Sequence, residues 1–135
     1  MSLYSIGQTG KFSKTITEYD VYGFAGISGD FNTIHINKVE AKKSLFGERV
    51  AHGILCGSLI STVLGNIMPG KGTIYMGQTL KFCAPVFIGD TITAEVTIKE
   101  ILSNNKAVLD TIVRNQDNII VIDGEATVKL PVDKI

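Results

Sequence analysis

The sequence predicts an α+β fold in which an antiparallel sheet of about five strands wraps around one long buried helix. Three observations point there. Residues 52–67 place Ile54, Leu55, Leu59, Ile60, Val63, Leu64 and Ile67 on nearly every side of a helical wheel, and a helix that is apolar all round must be buried all round. After residue 72 the hydrophobic period changes to two and holds toward residue 130. The strand-like runs there follow one another through short turns, and such connections make an antiparallel meander.

Taken in order, residues 11–16 (Lys-Phe-Ser-Lys-Thr-Ile) suit a first strand. Thr17 then stands as an N-cap, with Glu18 and Asp20 in the first turn against the positive end of the helix dipole. Val21, Phe24, Ala25 and Ser28 recur at helical spacing, so a short amphipathic helix is predicted over 17–27, ended by Ser28-Gly29. From Gly29 to Asn37 the periodicity disappears. Asp30, Asn32 and Asn37 are residues whose side chains bond nearby backbone in turns, which predicts a loop with a short helical piece around 37–44.

Lys38, Glu40, Lys42, Lys43, Glu48 and Arg49 mark that segment as solvent-facing. The apolar helix after it would run about 24 Å, close to the width of a small sheet. Gly57, Ser58 and Ser61 keep it slim enough for close approach, and Met68-Pro69-Gly70-Lys71-Gly72 stops it.

In the second half Ile74, Met76, Gln78, Leu80 and Phe82 alternate with Tyr75, Gly77, Thr79 and Lys81, and Ile92, Ala94, Val96 and Ile98 alternate with polar residues. Strands over 106–114 and 119–130 follow the turns Asn104-Asn105 and Asn115–Asn118. No repeat or linker divides the chain, so residues 1–135 are expected to form a single domain. The packing that covers the helix by curling the sheet around it is the hotdog architecture.

Composition narrows the function. With 44% hydrophobic and 19% charged residues in 135, the chain can bury a substantial core. Thirteen basic residues balance thirteen acidic ones, which removes the electrostatic basis for a nucleic-acid or anionic-membrane partner. The expected partner is a small molecule. No run reaches the roughly 18 apolar residues that span a bilayer, and no N-terminal stretch has the pattern of a secretion signal, so a cytoplasmic location is expected. Cys56 and Cys83 have no CxxC or histidine cluster around them and are expected to be buried free thiols rather than a disulfide or metal site.

Asp30 and His35 are the candidate reacting groups. A carboxylate and an imidazole five residues apart across a turn can converge on one water, and imidazole is suited to proton transfer near neutral pH. The same spacing also suits an aspartate that caps its own loop and a histidine that packs between Ile34 and Ile36. Gly53, if it opens the buried helix, offers unpaired amides at the positive dipole end to a ligand oxygen, or serves only as a tight start to the helix beside His52. Ser58 and Ser61 lack a neighbouring base and the G-x-S-x-G elbow.

Phe24-Ala25-Gly26-Ile27-Ser28-Gly29-Asp30-Phe31-Asn32, His35, Asn37, Phe46-Gly47 and Ala51-His52-Gly53 together resemble the signature of MaoC-like hydratases. The likeness continues through Leu64-Gly65, Pro69-Gly70-Lys71-Gly72, Tyr75, Phe82 and Pro85-Val86-Phe87-Ile88-Gly89-Asp90, nearly the whole chain. It is closest to the short (R)-specific enoyl-CoA hydratases that feed polyhydroxyalkanoate synthesis.

That resemblance implies a homodimer of hotdog subunits acting on an acyl-CoA thioester without a cofactor or metal. It implies that Asp30 and His35 hold the water and that the Gly53 amide binds the thioester carbonyl. Asn37 would shape the loop around His35, and Ser61 and Leu64 would line the acyl pocket. Thr33 stands where close relatives often carry proline, which loosens the turn without removing a reacting group. A dehydratase acting on acyl carrier protein, a silent acyl-CoA-binding domain and a hotdog thioesterase share the fold. The intact Asp30 and His35 argue against silence, and the pattern around them argues against the thioesterase.

Overall fold

The computed structural model describes residues 3–132. The chain runs β1 (Thr9–Thr15), α1 (Glu18–Ser28), α2 (Thr33–Ile36), α3 (Lys38–Lys42), α4 (Gly53–Asn66), β2 (Ile74–Phe82), β3 (Thr91–Leu102), β4 (Lys106–Arg114) and β5 (Ile120–Lys129). The five strands form one sheet in the order β1-β3-β4-β5-β2, every neighbour antiparallel. Helix α4 lies against β3 and β1 and also touches β2 and β4, so the sheet curls around it as predicted.

The central strands are built from strict alternation. In β3, Ile92, Ala94, Val96 and Ile98 are buried, and in β4 Ala107, Leu109, Thr111 and Val113 are. They meet Leu59, Ile60, Val63 and Leu64 of α4 in a continuous apolar core. Asn104 and Asn105 both take positive φ (63° and 62°), the left-handed turn that joins β3 to β4 without splaying them. Thr17 caps α1 in a capping box: its hydroxyl accepts from the Asp20 amide, and the Asp20 carboxylate accepts from the Thr17 amide. Gly29 then ends α1 at φ 80°.

Four expectations are corrected. Residues 33–36 form a helical turn rather than open loop, because Asn32 caps it through Ile34 N–H. Helix α4 is covered on its sheet side only: Ile54, Ser58, Ser61 and Gly65 form an exposed stripe, with Ile54 55% accessible in the single chain. Edge strand β2 has no fully buried residue, because it pairs only with β5 and its outer side stays open in the single chain; a bulge between Tyr75 and Gly77 shifts its register. Gln78 and Leu80 still reach inward: the Gln78 carboxamide donates to Thr111 Oγ1 at 2.8 Å, and Leu80 packs against the core. Gly124 in the intervening β5 makes room, since a Cβ there would lie 1.9 Å from the Thr79 carbonyl oxygen. Finally, Cys56 is buried but Cys83 is exposed.

Among the described residues no helix is long and apolar enough to cross a membrane. Burial pushes the Cys56 thiol up to about 12. Its thiolate fraction at pH 8 is therefore on the order of one in ten thousand. In the folded protein a thiol-reactive dye is expected to label Cys83 quickly and leave Cys56 untouched, with both reacting in denaturant. Rapid labelling of both in native buffer would contradict this burial. Leu64, 1% exposed within the core, is expected to cost about 2–5 kcal/mol on replacement by alanine, measured by urea denaturation.

Candidate active site

The site is assembled by the extended run Val50-Ala51-His52, which leads into α4. Val50 N–H donates to Ile34 O at 3.1 Å and Ala51 N–H to Val86 O at 2.8 Å, so the run is stitched to α2 on one side and to the segment before β3 on the other. Val50 also forms an isolated bridge with Phe87. Arg49, just before it, pairs with Glu18 of α1 and donates to Tyr22 Oη at 2.7 Å. The Arg49 guanidinium holds the Glu18 carboxyl below the usual carboxylate range.

His35 is buried on α2, and its Nδ1 lies 2.6 Å from Val50 O. A carbonyl oxygen only accepts, so Nδ1 carries the hydrogen and Nε2 is left as the working nitrogen. Asp30 sits at the exposed rim, in the turn that follows α1. Its Oδ1 accepts from Asn32 N–H at 3.2 Å, and its own amide donates to Ser28 Oγ at 3.1 Å. One side-chain oxygen or nitrogen from each of Asp30, His35 and His52 lies within 4.8 Å of the other two. The structure thus brings the predicted pair together. No direct bond between the Asp30 carboxylate and the His35 ring occurs among the described residues, and the spacing suits one water held by two hydrogen bonds of about 2.8 Å each.

Gly53 opens α4, and no side-chain hydrogen bond caps the helix there. Its first amides are therefore free to meet a ligand oxygen. A Cβ on Gly53 would come within 2.6 Å of the Phe82 ring, so only glycine fits without movement. Gly53 and His35 both line a cavity of about 440 Å³, whose other walls include Ile34, Phe46, Ile54, Phe82 and Val121. The cavity is predominantly apolar, with an imidazole and a helix N-terminus as its polar points.

Three other predicted residues lie elsewhere. Asn37 is exposed and its carboxamide oxygen caps α3, accepting from Glu40 N–H at 3.0 Å, while its backbone N–H closes α2 onto Thr33 O. It shapes the His35 loop and does not line the cavity. Leu64 belongs to the core, and Ser61 to the open stripe of α4. Neither borders the cavity of this chain, because the cavity lies at the opposite, N-terminal end of the helix.

His52 was legible only as a helix-entrance residue. The sequence carried no signal that its ring would stack on His35, with centroids 3.8 Å apart.

The chain matches known proteins in sequence and in fold. The model of the MaoC like domain matches residues 3–119. An (R)-specific enoyl-CoA hydratase of Rhodospirillum rubrum is 46% identical over 93% of this chain and 87% of its own length. A 3-hydroxybutyryl-CoA dehydratase of Methylorubrum extorquens is 41% identical over 93% and 80%. The solved (R)-hydratase from A. caviae, described as involved in PHA biosynthesis, superposes with a TM-score of 0.94 at 39% identity, covering 97% of this chain and all of that one. With a family model spanning most of its length and relatives this similar, the chain belongs to the MaoC-like domain family.

Proposed function

We propose that this protein is an (R)-specific enoyl-CoA hydratase, adding water reversibly and syn across trans-2-enoyl-CoA to give (R)-3-hydroxyacyl-CoA. The observation that carries the reading is the shared cavity. His35 and Gly53 line one apolar chamber, and the Asp30 carboxylate stands within 4.8 Å of the His35 ring.

Hydration needs a base for water, a proton for Cα and stabilisation of enolate charge on the thioester oxygen. Asp30 and His35 act as one coupled unit for the first two. As the water oxygen bonds to C3, one of its protons passes to this pair, and the pair returns a proton to Cα on the same face. Gly53 N–H donates to the thioester oxygen, where the helix dipole adds to its effect. Ile34, Phe46, Phe82 and Val121 supply the apolar wall for the acyl chain.

The reaction requires no resident metal or organic cofactor, CoA being part of the substrate. The exposed stripe of α4 and the uncovered β2 edge, with Ile74, Met76 and Phe82 accessible, support a homodimer that covers them. In such a dimer Ser61, on the exposed stripe, would bear on acyl length across the interface, while Leu64 stays within the core of its own chain. The formal net charge of zero supports an enzyme without a nucleic-acid or anionic-membrane partner, and we take it to act in the cytoplasm. The involvement of the A. caviae hydratase in PHA biosynthesis supports a use in supplying polyhydroxyalkanoate monomers.

Purified protein is expected to hydrate crotonyl-CoA to the (R) alcohol, read by loss of enoyl-thioester absorbance and chiral analysis of the product. An (S) product, or no turnover on CoA but turnover on carrier protein, would contradict the assignment. Asp30→Asn and His35→Ala should each lower kcat by about two decades or more, the scale of general acid/base assistance. Near-normal rates in either would remove that residue from the reaction. Exhaustive dialysis against EDTA should leave the rate unchanged, and a loss restored by added metal would instead assign Asp30, His35 and His52 to an ion.

A further inference from the structure

We infer that His52 is a positioning residue of this site: its ring locks the Asp30 turn to the start of α4, fixing the carboxylate relative to both His35 and the Gly53 amide. The inference rests on the hydratase reading for its kinetic consequence, while its structural content stands independently.

His52 is 2% exposed, and its Nε2 lies 2.9 Å from the Asp30 carbonyl oxygen. That oxygen can only accept, so Nε2–H is the donor. The residue that donates is joined covalently to Gly53. One bond therefore ties the backbone of the water-holding carboxylate to the backbone of the oxyanion donor, across 22 residues of sequence. The remaining bonds of the Asp30 turn are local, to Ser28 and Asn32. They set the shape of the turn but not its place over the cavity.

The ring also acts as a surface. It stacks on His35 with centroids 3.8 Å apart and planes 28° apart, and its other neighbour is the Phe24 ring of α1 at 4.8 Å. His35 is thus fixed in its plane by Val50 O at one edge and in its tilt by His52 across its face.

The second nitrogen shows that packing alone does not account for an imidazole here. His52 Nδ1 is buried without a hydrogen-bond partner among the described residues. A buried polar atom left unpaired costs stability, and a hydrocarbon ring of similar shape would avoid that cost. What such a ring lacks is the donor to Asp30 O.

The test compares two substitutions. His52→Phe keeps an aromatic face for His35 and Phe24 but deletes the donor, whereas His52→Gln carries an N–H at nearly the reach of Nε2. With crotonyl-CoA, His52→Phe is expected to lower kcat at least ten-fold with KM within about three-fold, because small misplacement of a reacting group acts on turnover. His52→Gln, which restores the donor but not the stacking face, should recover part of the loss.

Hydrogen exchange reports on the turn without reference to catalysis. Amides of residues 32–35 should exchange at least ten-fold faster in His52→Phe than in the parent, with those of β3 and β4 unchanged, and should slow again in His52→Gln. A His52→Phe protein with parental kcat and parental exchange overturns the inference, as does a His52→Gln protein no better than His52→Phe in either measurement. If the parent protein fails to hydrate enoyl-CoA, the functional reading falls, and the exchange result decides the positioning role by itself.

Discussion

The arrangement depends on three residues of extended backbone, Val50 to His52, held against two neighbours at once. Val50 gives its amide to α2 and its carbonyl to the His35 ring, while Ala51 gives its amide to the segment leading to β3. Those bonds fix where α4 begins, and where α4 begins fixes where its free amides point. The long helix is held in place by hydrophobic burial against the sheet, but burial is non-directional and sets no angle at the helix tip. The directional bonds of this short run supply that angle. Arg49, locked to Glu18 and Tyr22, carries the same constraint back to α1.

The chemistry follows from placing few polar groups at the edge of an apolar chamber. In low-dielectric surroundings a donated hydrogen bond to developing charge is worth more than in water, provided the donor is already in position. Gly53 meets that condition because Phe82 stands where a side chain would be and because nothing caps the helix. His35 meets it because its Nδ1–H is committed to Val50, so the ring cannot turn its other nitrogen away. Asp30 stays at the exposed rim, where water is available.

Much of this was legible in the sequence, and most of the failures share a cause. Strand β4 falls on the predicted residues 106–114, and Thr17 and Gly29 bound α1 as their chemistry dictates, because alternation and capping are local properties. Asp30, His35 and Gly53 were readable as candidates from residue type and joint pattern. The turn of α2 escaped for a local reason: Asn32, which caps it through Ile34 N–H, is equally suited to a loop. The rest depended on contacts distant in sequence. Helix α4 is apolar nearly all round, yet the sheet of one chain covers only one side, so its composition overstated its burial within the single chain. The β2 edge was misjudged for the same reason, whereas Cys83 follows that strand at the wall of the cavity and is exposed there. Ser61 and Leu64 lie on the cavity's helix but away from its cavity end, a distinction invisible to spacing. The stacking of His52 on His35 joins residues 17 positions apart, and no local pattern encodes it.

The most direct measurement is a crystal structure of the Asp30→Asn protein with (R)-3-hydroxybutyryl-CoA bound. The 3-hydroxyl is expected within about 3 Å of both the residue-30 side chain and His35 Nε2, with the thioester oxygen accepting from Gly53 N–H. A thioester oxygen turned away from the start of α4, or an acyl chain lying outside the chamber bounded by Phe82 and Val121, would contradict this arrangement.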